Sequence, residues 1–147
     1  MSENLVGGEQ AKPGAALTAL GEKLVGTWEI SGGSRGETTY EWMAGGFFLV
    51  QRGVVEGDGD TFEFMQIIGN DRPAGAEPDE AITGRLYTSR GDTLTYVCEQ
   101  DGDRLTIWFG AKGSPAFYKG EFSNGGNTLN GTWEWPGGGY DETMTRV

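Results

Sequence analysis

The chain has 147 residues, and its 22 acidic and 11 basic side chains give a formal charge of −11. A molecule of that charge repels phosphate backbones and anionic headgroups, so we expect neither nucleic acid nor a membrane as partner. The sequence has no histidine and one cysteine. These counts exclude His-ligated haem, His-based nucleophiles and thiolate clusters, so we expect no metal and no cofactor.

A chain of this length is expected to form a single domain around one core. Residues 1–13 are polar, lack periodicity and contain no apolar run of the length that export or membrane spanning requires. We therefore predict a flexible N-terminal segment at 1–13 and a folded domain at 14–147. A lone thiol, Cys98, fits the reducing cytoplasm.

The first predicted element is a short helix at 14–23, where Ala16, Leu17, Leu20 and Leu24 follow Pro13 at helical spacing. From residue 24 the apolar period changes to two, and turn residues recur every 8–12 positions, which indicates β-strands. The predicted strands are 24–31, 37–43, 46–55, 61–69, 82–89, 93–99, 104–110, 115–122, 128–135 and 139–146.

Most connections are short and rich in Gly, Asn and Asp, which tolerate the positive φ angles of hairpin turns. Sequential strands should therefore pair as a meander that avoids exposed edges by closing on itself. We predict an all-β fold, a single antiparallel up-and-down β-barrel of about ten strands with a short N-terminal helix. The one long connection, 70–81, is a candidate portal loop.

One hexapeptide recurs: Leu-Val-Gly-Thr-Trp-Glu at 24–29 returns as Leu-Asn-Gly-Thr-Trp-Glu at 129–134. We interpret the echo as shared packing, with a glycine leaving room for a neighbouring ring, rather than as a duplicated binding role.

Alternation along the strands predicts which side chains enter the barrel. The inward set is largely apolar and aromatic: Gly26, Trp28, Ile30, Tyr40, Trp42, Phe62, Phe64, Gln66, Ile68, Leu94, Tyr96, Cys98, Leu105, Ile107, Phe109, Leu129, Gly131, Trp133 and Trp135. Strands 46–55 and 115–122 are apolar on both faces, so their facing stays open; they could lie under the helix or in a homodimer contact.

The last strand places Tyr140, Glu142, Met144 and Arg146 inward. Because a buried charge needs a partner, Glu142 is either paired with an arginine, Arg52 or Arg146, or kept for a ligand. The candidate ligand-binding residues are Tyr40, Trp42, Phe64, Gln66, Tyr96, Ile107, Trp133 and Glu142.

A short helix is followed, from Leu24 to Ile30, by a strand bearing Gly-x-Trp. This arrangement resembles the calycin superfamily of lipocalins and fatty-acid-binding proteins. Together with Tyr40-Glu41-Trp42 and Gly45-Gly46-Phe47-Phe48-Leu49, it looks like an uncharacterised bacterial lipocalin-like family. The resemblance implies a lipocalin-like barrel at 14–147, with a late arginine, Arg146, across Trp28. Similar barrels include nitrobindin-like haem proteins, whose histidine ligand has no counterpart here.

The leading hypothesis is a barrel that binds a small hydrophobic molecule in its interior. The alternative is an enzyme, a cyclase, isomerase or hydrolase on such a molecule, with Glu142 as general acid or base and Tyr40 or Tyr96 as hydrogen-bond donor. A third hypothesis, a subunit without ligand, predicts a barrel packed solid.

Overall fold

In the computed structural model, which describes residues 12–57 and 59–147, the chain forms one helix and ten strands. The helix α1 spans Ala15–Leu24. The strands are β1 Gly26–Gly32, β2 Arg35–Trp42, β3 Phe48–Gly57, β4 Asp60–Asn70, β5 Ile82–Thr88, β6 Thr93–Asp101, β7 Arg104–Phe109, β8 Phe117–Ser123, β9 Thr128–Trp135 and β10 Gly138–Arg146. Every predicted element is present, with its ends within two residues of the prediction. The flexible segment predicted at 1–13 falls, up to residue 11, outside the described residues.

Each strand pairs antiparallel with its neighbours in sequence, and β1 also pairs with β10, so the sheet closes. At the closing seam, Trp28 lies opposite Arg146, and Gly32 lies opposite Glu142. Closure pairs the backbone groups that a sheet edge would leave free. The predicted antiparallel up-and-down barrel is therefore confirmed.

The barrel has two different ends, because a meander sends alternate connections to opposite ends. The helix precedes β1 and therefore lies beside the β2–β3, β4–β5, β6–β7 and β8–β9 connections; we call this the helix end. Lys23 of the helix pairs there with Asp103 of the β6–β7 turn, with Nζ 2.7 Å from Oδ1. The remaining connections form the opposite end, which we call the far end.

The apolar face of α1 covers the helix end. Leu17, Leu20 and Leu24 are almost completely buried. Gly21 lies on the same face against the ring of Trp42, where an added Cβ would overlap three ring atoms. Glycine costs a helix about 1 kcal/mol relative to alanine, and here it lets the helix approach the sheet over Trp42.

The seam between β1 and β10 is fastened by Trp28 and Arg146. Trp28 is fully buried, and its Nε1 donates to the Leu24 carbonyl at 2.8 Å. Arg146 Cζ lies 4.1 Å from the centre of the Trp28 ring, within cation–π range. An added Cβ at Gly26 would collide with Arg146 Nη1. The prediction of a buried Trp28 beneath Arg146 is confirmed.

The repeated hexapeptide serves packing in both strands. In β9, an added Cβ at Gly131 would overlap the ring of Tyr118. In β1, the space left by Gly26 is filled by the guanidinium of Arg146 instead of a ring. The interpretation that the glycine leaves room for a ring holds for Gly131, whereas Gly26 leaves room for a cation.

The structure resolves the facing of the two strands that are apolar on both sides. In β3, Leu49 and Gln51 are buried inward, while the Arg52 side chain is exposed on the outer face beside Glu41. In β8, Tyr118 and Phe122 are buried. Within the described part of the chain, no helix is long and apolar enough to span a membrane.

Candidate functional site

The barrel interior holds a cavity of about 960 Å³. Leu20 and Leu24 of the helix form its floor. The side chains at the far end that line it are largely exposed, which makes this end its mouth: Asp60, Arg90, Asp92, Trp135 and Tyr140. The cavity is therefore closed at the helix end and opens at the far end.

The position of the mouth corrects the portal prediction. The 71–81 connection joins β4 to β5 and returns to the helix end, where Asn70 Nδ2 donates to the Glu80 and Ala81 carbonyls. None of its residues lines the cavity. The prediction that 70–81 is a portal loop is wrong, because in a meander that starts from the helix end the β4–β5 connection lies at the closed end.

The structure brings seven of the eight predicted site residues to the cavity wall: Tyr40, Phe64, Gln66, Tyr96, Ile107, Trp133 and Glu142. Trp42 does not line the cavity; it is partly buried against the core and packs on Gly21 of the helix. The Trp42 side chain points inward as predicted, but the helix occupies the space in front of it. Ligand binding by the seven stays a prediction.

A chain of buried hydrogen bonds crosses one wall of the cavity. Gln66 Nε2 donates to Gln51 Oε1 at 2.6 Å, and Gln51 Nε2 donates to Thr38 Oγ1 at 3.0 Å. Thr38 Oγ1 in turn donates to the Arg52 carbonyl at 3.1 Å. An added Cβ at Gly84 would collide with Gln66 Oε1. The chain holds the Gln66 amide in a defined orientation at the cavity surface.

Glu142 projects into the cavity from β10. Its Oε1 accepts from Trp133 Nε1 and its Oε2 from Ser34 Oγ, both at 3.3 Å. Burial raises the pKa of this carboxyl above its usual range, while the two hydrogen bonds oppose the rise. The carboxyl is therefore held in place by two neutral donors.

Neither of the arginines considered as a partner reaches Glu142. Arg52 Nη1 pairs with Glu41 on the outer face at 3.3 Å. Arg146 donates to the carbonyl oxygens of Val25, Lys23 and Gly126. No ion pair among residues 12–57 and 59–147 involves Glu142. Of the two explanations for this carboxylate, arginine pairing is thus excluded.

Four tyrosines surround Glu142 closely enough to feel its charge. Burial, followed by repulsion from the Glu142 carboxylate, raises the pKa of Tyr118, and that of Tyr140 to about 12. The same two causes raise the pKa of Tyr40. Burial raises the pKa of Tyr96 most, followed by the effects of Tyr140 and Cys98, with a smaller contribution from Glu142. All four phenols therefore keep their protons at neutral pH and can donate as well as accept hydrogen bonds.

Aromatic rings pack around Trp133 beside Glu142, and Trp133, Tyr118 and Tyr96 line the cavity. The Trp133 ring centre lies 5.0 Å from that of Tyr118, 5.7 Å from Phe109 and 6.0 Å from Tyr96. Such tilted and edge-on pairs stabilise one another by about 0.5–1.5 kcal/mol beyond burial. We call these four residues the Trp133 cluster.

Sequence reasoning missed several polar residues of the site, among them Gln51, Tyr118 and Ser34. Gln51 and Tyr118 lie on the two strands whose facing stayed open. In β3, the one signal in the sequence was that polar Gln51 shares its face of the strand with Leu49. Ser34 belongs to a turn, where alternation does not apply.

Cys98 lines the cavity as a buried thiol, and burial raises its pKa to about 12. At neutral pH it is protonated and a poor nucleophile. Among the described residues, no group of three or more Asp, Glu or Cys side chains is arranged to hold a metal ion. The prediction that no metal or cofactor is used stays a prediction.

The fold and the cavity define a class of protein, the closed ten-stranded antiparallel barrel with an interior cavity. A scan against models of known protein families found no match, and neither did a search of the curated proteins.

Proposed function

We propose that this barrel binds a small, largely hydrophobic molecule in its interior. The observation that carries the proposal is the cavity of about 960 Å³, which lies at the upper end of the range of about 300–1,000 Å³ that small-molecule sites occupy. The alternative of a subunit without ligand predicts a barrel packed solid, and the cavity counts against it.

The distribution of polarity in the cavity supports an apolar ligand with a polar group. The deep part is lined by aliphatic side chains: Leu20, Leu24, Ile30, Ile68, Leu105, Leu129 and Met144. A few polar side chains complete the wall, among them Ser34, Gln51, Gln66 and Glu142. Apolar walls with a few fixed polar groups supply affinity through burial and orientation through hydrogen bonds.

We further propose that the chain belongs to the calycin superfamily and works in the cytoplasm. The short helix, the Gly-x-Trp strand and Arg146 over Trp28 support the first proposal. The lone reduced thiol of Cys98 supports the second.

The binding proposal is tested with N-phenyl-1-naphthylamine, a neutral dye whose emission rises in apolar sites. We expect saturable binding of one dye per barrel. In the double variant Ile107→Trp with Leu86→Trp, which narrows the cavity from two walls, the affinity should fall at least about tenfold, the equivalent of 1.4 kcal/mol.

The matched control is Thr106→Trp with Thr95→Trp, which places the same rings on the outer face of neighbouring strands and should leave dye binding unchanged. Circular dichroism confirms that each variant folds. Absence of saturable binding to the wild type, or equal binding by the two double variants, would refute the proposal.

One observation favours the enzyme as a second candidate. Glu142 is a carboxyl of raised pKa that faces the cavity without a cationic partner among the described residues, the environment that suits a general acid or base. A hydrolase would turn over 4-nitrophenyl octanoate and lose that turnover in Glu142→Gln with dye binding retained. Equal turnover in the two proteins would refute a catalytic Glu142.

A further inference from the structure

The charges that line the cavity are unbalanced. Four carboxylates line it, those of Glu56, Asp60, Asp92 and Glu142, against a single guanidinium, that of Arg90. Glu56 is paired separately, with its Oε1 3.8 Å from Arg35 Nη2. Arg90 Nη2 lies 2.6 Å from Asp60 Oδ2, and its Cζ lies 4.5 Å from the centre of the Phe62 ring. The only cation along the described wall is therefore already engaged at the mouth, and the charged groups that line the cavity are predominantly acidic.

Glu142 is the deepest of these carboxylates. The two groups that bond it, Trp133 Nε1 and Ser34 Oγ, are neutral donors at 3.3 Å. A carboxylate has about four lone-pair positions, so two donors leave acceptor capacity turned to the cavity. Burying such a group without a cation is costly, and the cost is recovered if a ligand supplies the cation.

The surroundings of Glu142 suit an ammonium group in particular. An ammonium has three N–H donors and no acceptor. Tyr40, Tyr96, Tyr118 and Tyr140 line the same cavity as the carboxylate, and their phenol oxygens can accept such donors. Aromatic rings, here those of the Trp133 cluster, also attract cations electrostatically.

We propose that the ligand of the cavity is a hydrophobic amine, whose ammonium group pairs with Glu142 while its apolar part fills the aliphatic floor at the helix end. This inference rests on the proposed function, because it names the chemistry of the molecule bound there. An anionic ligand is disfavoured by the same carboxylates. A neutral ligand would leave Glu142 without its counter-charge.

The test compares three probes that share one alkyl chain: decylamine, 1-decanol and decanoate. Each is titrated at pH 7 against the protein carrying N-phenyl-1-naphthylamine, and displacement of the dye gives the affinity. In the wild type, decylamine should bind at least about tenfold more tightly than 1-decanol, and decanoate should bind most weakly.

Glu142→Gln should remove the preference, lowering the affinity for decylamine at least about tenfold while the affinity for 1-decanol changes less than about twofold. Glu134→Gln is the matched control, since Glu134 is exposed on the outer face of β9 and its substitution changes the net charge equally. It should leave both affinities unchanged.

Equal affinity of the wild type for decylamine and 1-decanol would overturn the inference and leave the proposed function standing, because the probes still displace the dye. Preference for decanoate would do the same. Failure of the dye itself to bind refutes the proposed function instead. The wild-type order of affinities decides the question even if Glu142→Gln does not fold.

Discussion

Glu142 differs from the carboxylates on the barrel surface, because burial in the cavity raises its pKa and no arginine among the described residues neutralises it. Its folded-state pKa therefore lies above that of the unfolded chain. In the ligand-free protein, the unfolded state releases this proton first as the pH rises. Ionisation of Glu142 then costs stability, the opposite of the usual behaviour of a salt-bridged acid.

We expect Glu142→Gln to become more stable relative to wild type as the pH rises from about 4.3, the ordinary pKa of a glutamate, through the raised folded value. Below that window both proteins are neutral at this position, and the difference is constant. Tyr40, Tyr96, Tyr118 and Tyr140 interact with the Glu142 charge, and burial raises the pKa of each, so they keep their protons throughout. Burial also raises the pKa of Cys98 in the same cavity. The charged groups that line the cavity as well, Glu56, Asp60, Arg90 and Asp92, are common to both proteins.

Urea unfolding of both proteins between pH 4 and 8, without ligand, measures this difference. For the control Glu134→Gln, on the exposed face of β9, the difference in unfolding free energy from wild type should change less with pH. A difference that falls with rising pH would show that a cation pairs with Glu142 in the folded protein.

Among the elements, the end of strand β10 does more than pair with the neighbouring strands β1 and β9. Arg146 donates to the carbonyl oxygens of Lys23 and Val25, at 2.8 and 2.6 Å, and thereby joins the last strand to the junction between α1 and β1. These carbonyls belong to the end of a helix, where backbone acceptors have no partner within the helix. The side chain thus closes the barrel and caps the helix together.

Arg146→Met should lower the free energy of unfolding by about 2–3 kcal/mol, since hydrogen bonds that involve a charged group are worth about 1.5–3 kcal/mol. Arg52→Met is the matched control. Its exposed pair with Glu41 is worth at most about 1 kcal/mol. Urea unfolding measures the free energy of unfolding of both variants. Equal losses of stability would contradict the proposed role of Arg146 in joining β10 to the junction between α1 and β1.

The elements were predictable from sequence because period-two alternation and turn residues report on local structure alone. The same alternation placed Tyr40, Gln66, Tyr96 and Glu142 in one cavity. It failed for Trp42, because parity states which way a side chain points and not what fills the space in front of it.

The facing of β3 and β8 was not predictable by parity, since both faces of these strands are apolar. Val50 is nearly as buried on one face as Gln51 is on the other. The position of the 71–81 connection, by contrast, follows from topology: counting connections from the helix places it at the closed end. Ring packing around Trp133 depends on distances between strands that alternation does not contain.

At the scale of the whole molecule, the charge of −11 acts against compactness through self-repulsion. One local source of repulsion lies where β1 meets β2, because the exposed Glu29 is directly opposite the exposed Glu37. Like charges in this position destabilise a sheet by a few tenths to about 1 kcal/mol. Six ion pairs among the described residues oppose the repulsion, but all except the Lys23–Asp103 pair join exposed side chains, where such pairs contribute little.

We therefore expect added salt to stabilise the protein. Raising NaCl from about 10 mM to about 300 mM shortens the Debye length from about 30 Å to below 10 Å, which screens the long-range repulsion more than it weakens the few ion pairs. Glu37→Lys should raise the stability at low salt by about 0.5–1 kcal/mol and reduce the gain from salt.

The matched control is Glu134→Lys, which makes the same change in net charge. Glu134 lies opposite Phe117 and Gly139, without a facing carboxylate, so this variant should be stabilised less. Urea midpoints at the two salt concentrations measure all three proteins. A wild type that loses stability with salt would mean that the ion pairs outweigh the acidic excess, and equal gains from the two lysine variants would mean that the Glu29–Glu37 contact carries no repulsion of its own.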